Sequence, residues 1–265
     1  MRETFLGCPI DMLTMTETVD LARQAMSSRS RLHHVALNVA KLVNMRTDAV
    51  LAADVAGSDI VGLDGMGIVW GARCLGIPAS KRVSGVDLLV ELLAVCEREG
   101  FKPYFLGATR EVLELAVQRT REKHPQLQFA GCHDGYFTSA DESKVVADIQ
   151  ASGADCLFIG MPTPRKERFL AAYRDVLGVS FIMGVGGALD ILSGRVRRAP
   201  VPMQRIGLEW LYRIYQEPRR MWWRYLKTNS IFAGIISREL VRRTVPAFGG
   251  AGRISTPKLT RGGGR

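Results

Sequence analysis

Short apolar runs that alternate with helical patterns constrain the fold of this chain more than any other feature. The runs typical of buried strands are His33–Val39, Ile60–Leu63, Lys102–Leu106, Phe129–Phe137, Cys156–Gly160 and Val179–Met183. Amphipathic patterns such as Asp87 to Glu99 lie between them. The alternation predicts an α/β fold, with a parallel, Rossmann-like sheet and helices on both faces.

In such sheets ligands bind at the carboxyl ends of the strands. The loops after Leu63, Leu106, Ile159 and Met183 are therefore where a site is expected. We expect an α/β catalytic domain over 1–194, a helical appendage that associates with a membrane over 195–245, and a flexible basic tail over 246–265.

The positive charge of the chain is concentrated at its end. The formal net charge of the 265 residues is +10. From Arg195 onward there are 16 lysines and arginines against three acidic residues, so the preceding part is about neutral. A segment this basic is typical of binding to a polyanion, either nucleic acid or an anionic lipid surface.

The cysteines and the amino terminus bear on the compartment. The five cysteines are scattered and form no Cys-x-x-Cys pair, so neither a disulfide framework nor a zinc site is predicted. The first residues lack the apolar core of a signal peptide. The longest late apolar run, Ile231 to Ile236, is too short to span a bilayer. We expect a cytoplasmic protein.

Asp64-Gly65-x-Gly67 stands where an apolar strand is predicted to end. A carboxylate there would project into the ligand crevice and could act as a general base. The competing interpretation is an Asp N-cap on the next helix, with glycines for the turn, and the sequence alone favours the cap.

Two glycine-containing loops, Gly107-Ala108-Thr109-Arg110 and Gly184-Val185-Gly186-Gly187, each lie between a predicted strand and helix. Either could hold a phosphate on helix N-terminal amides, although strand-to-helix turns use glycine in any case. Two such loops in one sheet favour a nucleotide-type ligand. Neither fits the Gly-x-Gly-x-x-Gly pattern of NAD-binding proteins.

Single polar residues beside these loops allow two interpretations each. Asp190 could bind a ribose or favour a helix N-terminus. Tyr136 could stack on a base or pack half-buried. Lys166 could meet a phosphate or be solvated. His33 and His34 have no triad partner in the sequence, so we predict core or edge placement for them.

The segment from Gly207 to Leu226 combines aromatic and basic residues in a helical pattern. Trp222, Trp223 and Tyr225 stand among arginines, which suits the headgroup region of an anionic bilayer. A helix packed on the domain, or aromatic stacking with nucleic acid, would use the same residues.

Several motifs in one order, from about Phe5 to Leu240, closely resemble one family, the WecG/TagA/CpsF glycosyltransferases. The motifs that carry the resemblance are DGMGIVW (64–70), RVSGVDL (82–88), GATREVLELA (107–116), DGYF (134–137), FIGMPTPRKE (158–167), GVGGALDILSG (184–194), RRAP (197–200) and GLEWLYRIYQEPRR (207–220).

This resemblance implies an inverting sugar transfer that needs no metal and no cofactor. The donor would be a UDP-sugar and the acceptor a sugar pyrophosphoryl-polyprenol, used in assembling cell-surface polysaccharide such as teichoic acid or exopolysaccharide. The enzyme would be peripheral on the inner face of the cell membrane, with an anionic membrane surface as partner and no nucleic acid. N-acetylmannosamine, its uronic acid and glucose are all donors within the family. The oligomeric state, including a homo-oligomer, stays open.

The family's site residues map onto named positions of this chain. Its base falls on Asp64, with Asn38 and Arg82 as active-site neighbours. The substrate-binding positions implied by the family, together with the two glycine loops, are Gly107, Thr109, Tyr136, Lys166, Gly184, Gly186, Gly187, Asp190, Arg213, Arg220 and Arg224. Two residues depart from the family pattern: Ala36 stands where Thr is frequent, and Lys166 stands where Gln is usual.

Two other classes compete with this hypothesis. An α/β protein that binds nucleic acid through a basic arm is the main alternative, and UDP-induced thermal stabilisation would distinguish it. An NAD(P)-dependent oxidoreductase is the second, and absence of nicotinamide binding would exclude it.

Overall fold

The computed structural model describes residues 2–79 and 82–244, and of Arg220 and Thr244 the backbone only. The tail expected over 246–265 lies outside these residues. The chain begins with a small antiparallel hairpin of β1 (Arg2–Phe5) and β2 (Cys8–Asp11). The strands of the main sheet are β3 (Leu32–Leu37), β4 (Ile60–Leu63), β5 (Pro103–Gly107), β6 (Gly131–His133), β7 (Cys156–Gly160) and β8 (Phe181–Gly184).

The main sheet has the strand order β4-β3-β8-β7-β5-β6, and all its neighbouring strands are parallel. The helices before the appendage are α1 (Met15–Ser28), α2 (Val39–Asn44), α3 (Ala49–Ala56), α4 (Met66–Cys74), α5 (Gly85–Glu99), α6 (Arg110–Lys123), α7 (Glu142–Ser152), α8 (Arg165–Tyr173) and α9 (Ala188–Leu192). The predicted parallel α/β architecture is thus confirmed.

Three buried apolar clusters hold the helices to the two faces of the sheet. One contains residues of α1, α5, α6 and α9, and the other two contain residues of α2, α3, α4, α7 and α8. The five-residue strand β7 is buried on both sides, as expected for a central parallel strand. A capping box is present at the start of α1, where the Thr14 side chain accepts from the Glu17 N–H and the Glu17 side chain accepts from the Thr14 N–H.

The helical sequence pattern from Ala40 to Ala56 is divided into two helices in the structure. α2 ends at Asn44 and α3 begins at Ala49. The Asp48 side chain accepts a hydrogen bond from the Leu51 N–H and caps α3. An Asp competes with the helix for backbone groups, and this favours a new helix start over continuation.

After residue 194, the described part of the chain contains helices only: α10 (Val201–Arg205), α11 (Glu209–Gln216) and α12 (Pro218–Thr244). The middle of α12 packs on the domain. Phe232 is 9% exposed and lies edge-on to Phe5, with ring centroids 6.4 Å apart. A Cβ at Gly71 would lie 2.5 Å from the Phe232 ring, so the glycine allows α12 to approach α4.

Candidate active site

Asn38 and Asp64 lie side by side at the carboxyl edge of the sheet. They directly follow β3 and β4, whose last residues, Leu37 and Leu63, are paired in register. The backbone N–H of Asp64 donates to the Leu37 carbonyl at 2.8 Å, which extends the ladder by one residue. Both side chains are half-buried. The structure therefore brings these two predicted site residues together.

Asp64 does not cap the following helix, so the cap interpretation favoured by the sequence is wrong. Gly65 is the N-cap of α4, its φ is +91°, and no side chain caps this helix. The Asp64 carboxylate instead lies near the start of α5, where the Gly85 N–H acts to lower its pKa.

The surroundings of Asp64 raise the pKa of its carboxyl group. Burial raises its pKa, and Arg82, the Gly85 N–H and Lys41 offset part of that rise, while Glu209 adds to it. A half-buried carboxylate that stays within reach of cations is the kind of group that can take up a proton from a hydroxyl.

The two polar atoms of the Asn38 side-chain amide have different roles. Its Oδ1 accepts a hydrogen bond from the Lys41 N–H at 2.9 Å and caps α2. The Nδ2 group is not used by this cap, and it is the part of Asn38 that can donate to a ligand.

Arg82 is held by residues of the appendage. Its Nη1 donates to the Glu209 carboxylate, and its Nη2 donates to the Gln204 carbonyl at 3.3 Å. The Arg82 side chain is 15% exposed, and its charge acts on Asp64. Arg82 therefore lies beside the predicted base, as expected.

Gly107 and Thr109 form the turn after β5, in the second half of the crevice. The neighbouring strands β5 and β7 are followed by helices on opposite faces of the sheet. The next strand after β5 is β6, on one side of the pair, and the next strand after β7 is β8, on the other side. Such a switch point is where α/β sheets bind ligands. A Cβ at Gly107 would lie 2.6 Å from the Gly160 carbonyl carbon, so only glycine fits between the two strand ends. Thr109 caps α6 by accepting from the Val112 N–H.

Tyr136 stands at the rim of this switch point. The side chain is 76% exposed, so the half-buried packing considered from the sequence is not found. Its N–H donates to Asp134 Oδ1 at 3.0 Å. The Gly135 N–H donates to the Ala108 carbonyl at 3.0 Å, which holds this loop against the turn after β5. An exposed ring at a crevice rim is available to stack on a base.

Lys166 is buried beneath the glycine loop that follows β8. It is 5% exposed, its Nζ is 2.6 Å from Glu167 Oε1, and its stem crosses Gly184, where a Cβ would lie 2.8 Å from Cε. The solvated interpretation of Lys166 is wrong. Its ammonium is paired with a fully buried carboxylate, and this pair supports the loop from below.

Arg213 reaches the same loop from α11. A Cβ at Gly187 would lie 2.9 Å from Arg213 Nη2 and 3.4 Å from Asp190 Oδ2. The Gly187 backbone thus has the guanidinium on one side and the Asp190 carboxylate close by. With Gly184 and Gly186, these residues form one cluster at the end of β8. The sequence predicted each of them as a site residue but did not show that they lie together.

Arg224 is not brought into this cluster. Its side chain is exposed and lies over the Tyr225 ring, 5.4 Å from the ring centroid. Among the described residues, its guanidinium forms no ion pair with the candidate site residues. The side chain of Arg220 lies outside the described part of the structure.

Lys41 was missed by the sequence analysis. It lies in the first turn of α2, half-buried, and burial lowers the pKa of its ammonium to about 7, with Lys166 contributing and Glu167, Asp54 and Asp64 opposing. The only signal available was its spacing, three residues after Asn38. Lys41 is thus a further basic group whose charge acts on Asp64 and lowers its pKa.

His33 and His34 are buried in the sheet, which confirms the core placement predicted for them. Burial lowers the pKa of His33 to about 3 and that of His34 to about 4, so both rings are neutral. Within residues 2–79 and 82–244, no group of three or more His, Cys, Asp or Glu side chains is arranged as a metal site.

The appendage exposes large apolar side chains. Trp222 is 56% exposed, Trp223 67% and Tyr215 81%. Both tryptophans lie on α12, on the part of the helix before Phe232. Of the helices that the structure describes, none is both long and apolar enough to cross a bilayer.

Comparison with known proteins agrees with this geometry. Residues 3–246 match the model of the "Glycosyl transferase WecG/TagA/CpsF family". A curated protein of Bacillus spizizenii, N-acetylglucosaminyldiphosphoundecaprenol N-acetyl-beta-D-mannosaminyltransferase, is 32% identical over 196 residues, covering 74% of each chain. A protein of the same name from Bacillus subtilis is 30% identical over 189 residues, covering 71% of this chain and 73% of the relative.

Proposed function

The chain belongs to the WecG/TagA/CpsF glycosyltransferase family, and we propose that it transfers a sugar from a UDP-sugar to a sugar linked to polyprenyl diphosphate. The names of the two Bacillus relatives give an N-acetylmannosaminyl group as the one transferred and N-acetylglucosaminyl-diphosphoundecaprenol as acceptor. For this chain, those names favour UDP-N-acetylmannosamine as the donor. The observation that carries the proposal is the Asp64 carboxylate at the edge of the sheet. It is half-buried, it does not cap a helix, and the charges of Arg82 and Lys41 act on it.

In the proposed reaction Asp64 is the general base. An acceptor hydroxyl gives its proton to the Asp64 carboxylate as its oxygen bonds to the anomeric carbon of the donor. The bond between that carbon and the diphosphate oxygen breaks, and the electron pair leaves with UDP. Attack opposite to the leaving group inverts the anomeric configuration, and a single carboxylate is sufficient for it. Asn38 Nδ2 and Arg82 would orient the reacting groups.

The departing diphosphate needs positive charge, and the second half of the crevice can supply it. The backbone amides at the start of α6 and in the 184–187 loop can hold phosphate oxygens, and the Arg213 guanidinium lies over Gly187. Tyr136 would stack on the uracil, and Asp190 would accept from the ribose. Because side chains and amides can carry this charge, we propose that the transfer needs no divalent metal.

We further propose that the appendage places the crevice at the cytoplasmic face of an anionic membrane. Trp222 and Trp223 are exposed on a helix rich in arginine. Tryptophan suits the headgroup region, and each Lys or Arg near an anionic surface contributes roughly 1 kcal/mol of binding. A lipid-linked acceptor lies in that plane, so binding there brings the enzyme to its substrate.

A donor screen tests the proposal. UDP-N-acetylmannosamine, UDP-N-acetylmannosaminuronic acid, UDP-glucose and UDP-N-acetylglucosamine are each offered with synthetic short-chain N-acetylglucosaminyl- or glucosyl-diphosphoryl-lipid. We expect transfer with one of the first three and an inverted anomeric centre by NMR. A thermal shift with UDP but not with NAD(P) or a single-stranded oligonucleotide is expected alongside. Absence of transfer with every donor, together with no UDP shift, would refute the proposal.

A further inference from the structure

The two groups that hold the Arg82 guanidinium both come from one short stretch of the appendage. Gln204 lies in α10, and its backbone carbonyl accepts one hydrogen bond. Glu209 is the first residue of α11, and its carboxylate accepts the other. Gln204 is itself fixed, since its Nε2 donates to the Ala199 carbonyl at 2.6 Å. Arg82 lies in the loop before α5, and no α/β-domain group in the described chain forms a hydrogen bond with its guanidinium. Its position therefore depends on the appendage.

Glu209 stands in a series of alternating charges. Arg198 binds the Asp87 carboxylate with both Nη atoms, at 2.6 Å from Nη2 to Oδ2, and its Nε lies 3.7 Å from Glu209 Oε1. Glu209 Oε2 accepts from Arg82, whose charge in turn acts on Asp64. Asp87 lies in the first turn of α5. The series thus runs from α5 through the appendage and back to the predicted base.

The geometry of this series favours a positioning role over simple surface pairing. The side chains of Arg82, Glu209 and Arg198 are 15%, 27% and 27% exposed, so water screens them less than a fully exposed pair. Glu209 has a cation at each carboxylate oxygen, which fixes its rotamer. Because both Nη atoms of Arg82 donate hydrogen bonds, the orientation of the planar guanidinium is fixed. The directions of its remaining N–H groups are then fixed as well.

We propose that Glu209 is a positioning residue that holds the Arg82 guanidinium beside Asp64. This inference rests on the proposed function for the consequence in catalysis, but not for the contact itself. The appendage then contributes to the chemistry through a carboxylate, apart from any basic side chain it brings to the leaving group.

The opposite role would give a different outcome. A carboxylate between two arginines also resembles a diphosphate, and Glu209 could occupy an anion site that a substrate must empty. In that case its removal would tighten binding of UDP or of the acceptor and would not lower turnover. A positioning role predicts lower turnover with unchanged UDP affinity.

The first test needs no substrate. Full-length protein is treated with phenylglyoxal, and the modification rate of Arg82 is followed by peptide mass spectrometry in wild type, Glu209→Gln and Glu239→Gln. Glu239 is the matched control, since it pairs with Arg243 at 3.2 Å on α12. We expect faster modification of Arg82 in Glu209→Gln only. An unchanged rate would overturn the proposal, whether or not the wild type transfers any sugar.

The second test is a double-mutant cycle on turnover. Glu209→Gln should lower kcat by about 10- to 100-fold, the loss typical of a displaced catalytic group, with UDP affinity unchanged. In the Arg82→Ala background the same change should cause little further loss, because Glu209 acts through Arg82. Multiplicative losses would show that Glu209 acts independently of Arg82 and overturn the proposal. Tighter UDP binding or a raised kcat would show the anion-site role instead.

Discussion

The Oδ1 atom of Asn38 caps helix α2 by accepting a hydrogen bond from the Lys41 N–H at 2.9 Å. The side chain therefore has two separable tasks. Its oxygen stabilises the helix start beside the crevice, and its Nδ2 group is available to a ligand. A substitution can remove one task and keep the other.

Serine and alanine at position 38 should separate them. Asn38→Ser keeps a capping oxygen and loses the amide donor, whereas Asn38→Ala loses both. We expect both variants to lower transfer to a similar extent, but only Asn38→Ala to be destabilised, by about 1 kcal/mol. Urea unfolding and initial rates measure the two effects. Full activity in Asn38→Ser would contradict a ligand-binding role for the amide.

Asp64→Asn should abolish transfer while the fold and UDP binding persist. The amide keeps the size and shape of the carboxyl group, but it cannot take a proton from the acceptor hydroxyl. Losing one general base costs about 100- to 10,000-fold in rate. Asp20→Asn, on the exposed surface of α1 where Asp20 pairs with Arg23, is the control and should be fully active. Turnover near wild type in Asp64→Asn would remove the assignment.

Arg82→Met should move the acid limb of the pH profile to higher pH. Arg82 lowers the pKa of Asp64, and Glu209, which stays in place, raises it. Without Arg82 the pKa of Asp64 rises further, so the base becomes protonated, and activity is lost, at a higher pH than in wild type. The measurement is kcat/KM against pH, with Arg23→Met as control. A shift to lower pH would contradict the proposed contact between Arg82 and the base.

Transfer should persist in EDTA. The described residues contain no group of three or more metal-ligating side chains, whereas amides at two helix starts and Arg213 can face the diphosphate. Arg213→Met should lower kcat by about 100-fold or more, the loss typical of removing one donor to a developing anion. Loss of activity in EDTA and its recovery with Mn²⁺ or Mg²⁺ would contradict metal independence.

Replacing Trp222 and Trp223 together by alanine should weaken membrane binding without unfolding the chain, because both side chains are more than half exposed. Co-sedimentation with phosphatidylglycerol-containing vesicles measures the loss, and phosphatidylcholine vesicles show the part due to charge. Leu115→Ala, at a 44% exposed position on α6, is the control. Unchanged co-sedimentation in the double variant would refute the anchor. Deleting the whole appendage is a poorer test, because Phe232 belongs to the core.

The sheet and the place of Asp64 in it could be predicted from the sequence, because buried parallel strands carry continuous apolar runs and ligand sites follow their carboxyl ends. Cys156 to Gly160 was predicted to the residue. Whether Asp64 caps the next helix could not be predicted, because an Asp before a Gly is equally compatible with a helix cap and with a carboxylate that faces the crevice. The left-handed turn at Gly65 decides between them, and it is visible only in the backbone.

The contacts of the appendage were beyond sequence reasoning for a different reason. Arg82 and Glu209 are 127 positions apart, and Arg198 and Asp87 are 111 apart. Ion pairs between residues far apart in the chain leave no periodicity in the sequence. Lys166 illustrates the same limit, since its partner Glu167 is the next residue, yet only the packing of α8 under Gly184 buries them together. The roles assigned to the site residues stay predictions that the variants above can check.

The position of Phe232 also has a consequence for how the chain is made. Its ring lies over Gly71 and against Phe5, so it completes a cluster whose other fully buried members all come before residue 80. Domains fold from the amino terminus during synthesis. Here the cluster around Gly71 gains Phe232, its last buried member in chain order, only when the ribosome has released α12. A nascent chain that stops before this helix would therefore leave the apolar surface around Gly71 uncovered and open to chaperones.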